Sequence, residues 1–198
     1  AIRNLKKYIG KDLRPLALKH GITTYETGKQ NKGWKGLVLG PLAGLTNNNL
    51  KAPNGLGFEL KSVAFHKVKG ELVPKETMAI TMINPNELRK HTFYKSHCWE
   101  KLKGLVFCAV EWSGKNSGEA RLLKVASLDF AEDDKLIKEV KADYDLIRKK
   151  LIAEGFDALT GKDGKWIQAR TKGSGHGSTS RAFYARTSFV KKIFETAS

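Results

Sequence analysis

The chain has 198 residues, two cysteines and a formal net charge of +16. That length fits one domain or two small ones, and it can bury a core without disulfides or metal. The two cysteines exclude a disulfide scaffold and a four-cysteine zinc site, and they fit a reducing, cytosolic compartment. No apolar run is long enough to span a membrane. The excess of Lys and Arg indicates a polyanionic partner, most simply nucleic acid, although a merely soluble basic protein is an alternative.

The charge is unevenly distributed along the chain. Residues 1–128 carry a net charge of +13, residues 129–161 carry −3 and residues 162–198 carry +6. The acidic segment, 134–154, has apolar residues at helical spacing, namely Leu136, Val140, Tyr144, Ile147 and Leu151. This pattern predicts an amphipathic helix that covers the core away from the ligand.

The other predicted elements follow in chain order. Residues 3–20 and 32–45 are predicted to be helices, and 47–49 a turn. Between residues 83 and 105 we expect a short helical or loop segment. Strands are predicted at 57–65, 77–83, 105–110, 122–125, 166–169 and 182–185. This order predicts an α/β or α+β fold with a mixed, mostly antiparallel sheet.

A loop of small residues separates the last two predicted strands. It spans residues 173–180, and its basic flanks are Arg170, Lys172, Arg181 and Arg186. The loop is either a flexible hairpin linker or a segment that becomes ordered on DNA. The flanking charges favour the second interpretation.

The predicted strand at 57–65 carries a Glu-x-Lys motif, in which Glu59 and Lys61 share one face. Glu-x-Lys on a strand is half of the metal-dependent nuclease signature, where the Glu and an upstream Asp hold Mg²⁺ and the Lys acts on the attacking water. No aspartate lies between Asp12 and Asp129, and the upstream Asn54 is a poor ligand. The metal site therefore looks incomplete, with Glu59 at most as a ligand.

Other catalytic classes have weaker support. The five histidines include no HxH or HExxH pair, which argues against a zinc site. Cys98 and Cys108 are expected to be small buried hydrophobic residues rather than nucleophiles. The four tryptophans are expected in the core.

Several sequence pieces in a common order resemble the MutH superfamily, which contains the mismatch-repair nuclease and the Sau-type restriction endonucleases, both acting at GATC. The resemblance covers roughly residues 5–195. Its pieces are Lys32-Gly33-Trp34, Gly57-Phe58-Glu59-Leu60-Lys61-Ser62-Val63, Ser96-His97 with Lys101-Leu102-Lys103, Gln168-Ala169-Arg170-Thr171-Lys172, and Phe183-Tyr184.

The resemblance implies a restriction-endonuclease-like mixed sheet flanked by helices, with two lobes around one DNA cleft in a single domain, 1–198. The family's catalytic set is an early Glu, an Asp, the Glu-x-Lys pair and a later Lys. By resemblance, Glu59 and Lys61 are the pair and Lys101 is the later Lys. The two acidic positions hold Gly40 and Ala52.

The same resemblance implies that the residues reading DNA are retained. Arg170 and Lys172 match the side chains that read GATC, and Tyr184 matches the tyrosine that senses adenine methylation, although it is equally compatible with a core position. A domain that keeps the DNA-reading residues but lacks the metal ligands resembles a non-catalytic, allosteric effector half of a type II restriction endonuclease. The start without Met fits a C-terminal fragment.

That hypothesis has further implications and one alternative. The partners are GATC-containing double-stranded DNA and an N-terminal catalytic half of the same polypeptide, in the bacterial cytoplasm. No cofactor is expected for this domain, and Mg²⁺ is expected for the full enzyme. Lys61 and Lys101 then act as phosphate contacts, with Arg181 and Arg186 as further DNA contacts. The alternative is an active Mg²⁺-dependent GATC endonuclease, or a mismatch-repair-type nickase, that uses an unrecognised carboxylate.

Overall fold

The computed structural model describes residues 1–26, 29–31, 33–45, 58–112, 119–132, 134–172 and 180–196. They form two compact units, each built from separate stretches of chain. The first unit contains residues 1–76, 105–128 and 194–198, and the second contains 77–104 and 129–193. The predicted fold class, a mixed sheet flanked by helices, is confirmed. The cleft between two lobes stays a prediction.

The elements alternate between helices and strands along the chain. The helices are α1 (Ile2–Lys6), α2 (Leu13–Lys19), α3 (Trp34–Leu42), α4 (Pro85–Lys90), α5 (His97–Lys103), α6 (Lys135–Glu154) and α7 (Thr187–Thr196). The strands are β1 (Tyr25–Glu26), β2 (Lys29–Gln30), β3 (Glu59–Val68), β4 (Glu71–Pro74), β5 (Met78–Met82), β6 (Gly104–Glu111), β7 (Leu122–Asp129), β8 (Ile167–Thr171) and β9 (Arg181–Ala185). Within the described ranges, none of the helices has the length and apolar character required to cross a bilayer.

The strands divide between separate sheets rather than forming the one sheet suggested by their order. The first unit holds a four-stranded sheet in the order β4-β3-β6-β7, in which β3 runs parallel to β6 and antiparallel to β4. The second unit holds an antiparallel sheet in the order β5-β9-β8. A small β1-β2 ladder is separate from both.

The prediction of one continuous helix over residues 3–20 is wrong. The chain breaks at Gly10, whose φ is +82°, and the Gly10 N–H donates to the Leu122 carbonyl oxygen at 2.8 Å. Asp12 then caps the new helix α2 by accepting from the Arg14 N–H at 3.1 Å. The apolar stripe predicted for one helix therefore serves two shorter ones.

The first unit has apolar contacts on both faces of its sheet. Residues of α1, α2 and α3 pack against one face through a buried cluster that includes Leu5, Leu13 and Trp34. On the other face, Phe65 lies 6.1 Å from Phe107 and 4.6 Å from Phe194 between ring centroids. This packing holds β3, the strand with the Glu-x-Lys motif, at the centre of the unit.

In the second unit, α6 packs against β8 and begins at Lys135, directly after Asp134, the first residue of the predicted segment. Asp134 caps it by accepting from the Leu136 N–H at 2.8 Å. The buried stripe contains Ile137 where Leu136 was expected, because Leu136 is only half-buried. Helix α7 and strand β4 were not predicted, and the predicted turn at 47–49 lies outside the described residues.

Candidate nucleic-acid interface

The Glu-x-Lys motif lies at the start of β3 in the first unit. Glu59 and Lys61 leave the same face of the sheet and form an ion pair, with 3.0 Å between Lys61 Nζ and Glu59 Oε1. Their side chains are 17% and 22% exposed, respectively. Farther along this face Val63 and Phe65 are buried. The motif therefore lies at the end of this face, where buried apolar side chains give way to partly exposed charged ones.

The residues at the family's acidic positions do not fit the Mg²⁺ that the resemblance implies. Gly40 is a buried residue of α3 without a side chain. Ala52 lies outside the described residues, and its methyl group is no cation ligand. Among the residues that the structure describes, no three or more of His, Cys, Asp and Glu are grouped to hold a metal ion. Glu59, which pairs with Lys61, is therefore the one carboxylate that the motif supplies, and the residues at the two acidic positions add none.

Lys101, the residue matched to the later Lys of the family's set, belongs to the second unit and lies on α5. Ser96 caps this helix, because its Oγ accepts from the Trp99 N–H at 3.2 Å and donates to the Phe93 carbonyl oxygen at 2.6 Å. Trp99 and Leu102 are buried on one side of α5, whereas Lys101 is half-buried. The cap and the buried side together fix the direction in which the helix presents this cation.

The two predicted GATC-reading cations lie on the hairpin formed by β8 and β9. Arg170 pairs with Ala182 in the ladder, and the Lys172 N–H donates to the Ser180 carbonyl oxygen at 3.0 Å. Arg170 and Lys172 are both exposed. The loop at 173–179, including His176, lies outside the described residues, so its ordering on DNA stays a prediction.

Arg170 lies against Tyr184, the residue matched to the methylation-sensing tyrosine. The guanidinium carbon is 5.2 Å from the Tyr184 ring centroid, within the range of a cation–π interaction. Its Nη1 donates to Thr77 Oγ1 at 3.4 Å. Tyr184 is half-buried, so its ring forms part of the surface that Arg170 occupies.

Arg181 and Arg186, predicted as further DNA contacts, both bind backbone of the segment before β8. Arg186 donates to the carbonyl oxygens of Gly161, Asp163 and Gly164 at 2.8, 3.1 and 2.9 Å. Arg181 Nε donates to the Leu159 carbonyl oxygen at 3.1 Å. These half-buried guanidinium groups therefore hold a loop in place, whatever they contribute to DNA binding.

Sequence reasoning missed the role of Asp143 on the acidic helix α6. Its carboxylate is 7% exposed and accepts the N–H groups of Lys165, Trp166 and Ile167 at 2.8, 2.6 and 2.9 Å. Glu139, one turn earlier, accepts from Lys165 Nζ at 2.7 Å and from Trp166 Nε1 at 2.8 Å. The hydrogen bond from Lys165, followed by that from Trp166, lowers the pKa of Glu139. The acidic helix thus anchors the start of β8, the strand that carries Arg170.

A second unforeseen feature is a group of cations around Lys35 on α3. Burial lowers the pKa of Lys35, and the positive charges of Arg14 and Lys75 act in the same direction. The carboxylate of Glu76 opposes them. In addition, the Arg14 guanidinium lies 5.6 Å from the Trp34 ring centroid. The first unit therefore contains a cluster of closely spaced positive charges, formed by Lys35, Arg14 and Lys75.

Both cysteines are buried, as expected. Burial raises the pKa of the Cys108 thiol to about 12 and raises that of Cys98 further. A thiol attacks as its thiolate, so neither cysteine is suited to nucleophilic chemistry near neutral pH.

The comparisons with known proteins find that this chain is similar to MutH proteins. The family model described as MutH, DNA mismatch repair enzyme MutH, matches residues 44–139, which include Glu59, Lys61 and Lys101. The DNA mismatch repair protein MutH of Shewanella sp. (strain W3-18-1) is 26% identical over 204 residues, covering 95% of this chain and 90% of that protein. The protein of the same name from Escherichia coli O17:K52:H18 is 25% identical over 180 residues, covering 89% and 76%.

Proposed function

Because the chain belongs to the MutH superfamily, we propose that it binds double-stranded DNA at GATC as a non-catalytic, allosteric half of a type II restriction endonuclease. Its partner in the proposal is an N-terminal catalytic half of the same polypeptide, in the bacterial cytoplasm. Mg²⁺ is required by that other half alone.

The observation that carries the DNA-binding part is the arrangement of Arg170. This arginine is exposed on a hairpin, and its guanidinium is supported by a ring and a hydroxyl group. An arginine that donates to guanine O6 and N7 is the commonest specific base contact in the major groove. Lys172 is exposed two residues farther along, at the edge of the described hairpin. The net charge of +6 over residues 162–198 adds attraction for phosphates.

The non-catalytic part is supported by the residues at the acidic family positions. Gly40 and Ala52 bring no carboxylate, and Glu59 is held by Lys61 at 3.0 Å. In the proposal, Lys61 and Lys101 contact phosphates without acting on a water molecule. Such contacts contribute affinity that does not depend on base sequence.

The proposal predicts that this chain prefers a GATC duplex to a duplex of scrambled sequence. We expect a ratio of about a thousandfold in equilibrium binding at about 0.15 M salt, as is typical of sequence-reading domains. Fluorescence anisotropy with labelled duplexes measures both affinities side by side. Replacing Arg170 by Ala should cost about 1–3 kcal/mol of specific binding and relax the preference at one base pair. Equal affinity of the parent chain for both duplexes would leave a non-specific basic DNA-binding protein.

One observation favours the second candidate, an active GATC endonuclease or mismatch-repair-type nickase. The Glu59–Lys61 pair of a metal-dependent nuclease is present on a partly exposed strand. The same binding samples, supplied with Mg²⁺, separate the two candidates when cut and nicked DNA is resolved on a denaturing gel. We expect no cleavage, and unchanged or higher GATC affinity for Glu59→Gln because a negative charge near phosphate is removed. Mg²⁺-dependent cutting that Glu59→Gln abolishes would establish the enzyme instead.

A further inference from the structure

We propose that Thr77 and Tyr184 are positioning residues for Arg170, which hold its guanidinium before DNA arrives in the orientation that reads a base. The inference rests on the DNA-binding function proposed above. It assigns to Tyr184 an action through Arg170, and it assigns a role to Thr77 that no sequence motif suggests.

The strand register explains how these three side chains meet. Arg170 on β8 pairs with Ala182 on β9, whereas Tyr184 pairs with Ala79 on β5. Thr77 precedes Ala79 by two residues and therefore shares its side of the sheet. The Arg170 side chain thus extends diagonally over Tyr184 on the central strand and reaches Thr77 beside the far edge strand.

The contacts restrain the guanidinium in two different ways. The π-face of Tyr184, at 5.2 Å, attracts the cation but leaves it free to slide in the ring plane. The Thr77 hydroxyl oxygen, 3.4 Å from Nη1, accepts a directional hydrogen bond and removes that freedom. Together, the ring fixes the distance of the guanidinium above the ring plane, and the hydroxyl group fixes its rotation parallel to that plane.

Gly161 lies beside the base of the Arg170 side chain. Gly161 lies so close that a Cβ atom built on it would be 3.7 Å from the Arg170 Cβ. The Gly161 carbonyl oxygen in turn accepts from Arg186 Nη2 at 2.8 Å. Arg186 therefore holds the loop that lies beside the Arg170 stem, and this gives it a supporting part in recognition without touching a base.

Positioning affects specific and non-specific binding differently. A long side chain loses rotamer freedom when it docks on a base edge, and a side chain that is already ordered loses less. Attraction to phosphates depends mainly on charge and tolerates a mobile arginine. Loss of Thr77 or of the Tyr184 ring should therefore reduce the affinity for GATC and leave the affinity for a scrambled duplex unchanged.

The first test removes the hydroxyl group with little change of shape. We expect Thr77→Val to weaken GATC binding by about fivefold, as the loss of one modest polar contact implies, with scrambled binding unaffected. Thr77→Ser retains the hydroxyl and should keep the parent affinity. Thr81→Val is the matched control, because Thr81 lies on β5 in register with Phe183, which faces the side of the sheet opposite to Tyr184.

The second test removes the ring. Tyr184→Phe keeps an aromatic face under the guanidinium and should retain specific binding, whereas Tyr184→Leu should lose about fivefold to tenfold. In an Arg170→Ala background, Thr77→Val and Tyr184→Leu should have no further effect, because the group they position is gone. A full additional loss in that background would overturn the inference and show that both side chains act on DNA or on folding directly.

A measurement on the free protein separates this inference from the proposed function. The ¹⁵N relaxation of Arg170 Nε–H reports its order without DNA, and we expect that order to fall in Thr77→Val and Tyr184→Leu but not in Thr81→Val. Unchanged order would overturn the positioning role even if GATC binding is specific. Equal binding of both duplexes by the parent chain would overturn the proposed function, and the recognition role of the three residues with it. A rise in GATC affinity on Thr77→Val would also overturn the inference, because it would show that the hydrogen bond to Thr77 holds Arg170 where it does not contact DNA.

Discussion

Two charged side chains in the second unit, the buried Asp143 and the half-buried Arg186, organise the backbone around β8. Asp143 accepts three consecutive backbone N–H groups at the entry to β8, and Arg186 binds three carbonyl oxygens of the loop before it. Both therefore fix the path of the chain into β8, the strand that carries Arg170 and is followed by Lys172. Neither residue is distinguishable in sequence from the surface charges around it, because its partners are backbone atoms 22 to 25 residues away.

Replacing Asp143 should destabilise the fold strongly. In Asp143→Ala, three N–H groups at a buried site lose their acceptor, and we expect a loss of about 3 kcal/mol or more in the free energy of unfolding. Asp143→Asn keeps one acceptor oxygen and should lose less. Urea unfolding followed by circular dichroism measures the difference.

The same helix offers a matched control for that prediction. Asp145 is more exposed and forms an ion pair with Lys141 one turn earlier. Asp145→Ala should cost less than about 1 kcal/mol, because exposed ion pairs contribute little. Similar losses for both variants would mean that the charge of the helix matters, and not the backbone contacts of Asp143.

At the level of elements, strands with strong apolar runs were predictable and weakly patterned elements were not. All six predicted strands are present, since β-branched and aromatic residues at alternating positions indicate strands directly. Strand β4 has only four residues, and the turn before it is Lys69-Gly70 rather than the stronger Asn-Gly signal. The break at Gly10 was missed because the apolar spacing continues through it. Tertiary pairing with Leu122 decides that break.

Two exposed glycines should respond to alanine in opposite directions. Gly70 has a φ of +88° in the turn between β3 and β4, so Gly70→Ala should destabilise the protein by about 1 kcal/mol through backbone strain alone. Gly36 lies in α3, and a Cβ there also meets no atom within 4 Å. Gly36→Ala should stabilise by about 0.5–1 kcal/mol because alanine favours the helix. Thermal unfolding of both variants checks the pair, and a shift of the same sign in both would contradict this account.

For the whole molecule, composition correctly indicated an anionic partner class but not which side chains meet it. A net charge of +16 attracts any polyanion, and the family match supports DNA among them. The motif residues Glu59 and Lys61 could be placed on one strand face from sequence alone. The support of Arg170 by Thr77 could not, because 93 residues separate them and only the sheet register brings them together.

The same charge predicts opposite effects of salt on folding and on binding. Raising NaCl from about 0.05 to 0.3 M screens repulsion within the chain and should raise its melting temperature. Over that range GATC affinity should fall by at least about tenfold, because bound cations displace counterions from DNA. Differential scanning fluorimetry and anisotropy measure the two trends. Lys35→Gln should reduce the stabilising effect of salt, since it relieves the crowding with Arg14 and Lys75; a melting temperature that falls with salt would contradict the prediction.

The two units alternate along the chain, and this limits how they can be separated by truncation of the protein or by fusion of gene segments. The polypeptide passes from one unit to the other after residues 76, 104, 128 and 193. Every terminal truncation removes part of the first unit, and a contiguous stretch that holds the whole second unit, 77–193, also carries residues 105–128 of the first. A fusion that transferred the hairpin of Arg170 with its whole unit would therefore also transfer β6, the strand that pairs with β3, but not β3 itself. The hairpin and the Glu-x-Lys motif can therefore be inherited separately, but β6 is then left with an unpaired edge.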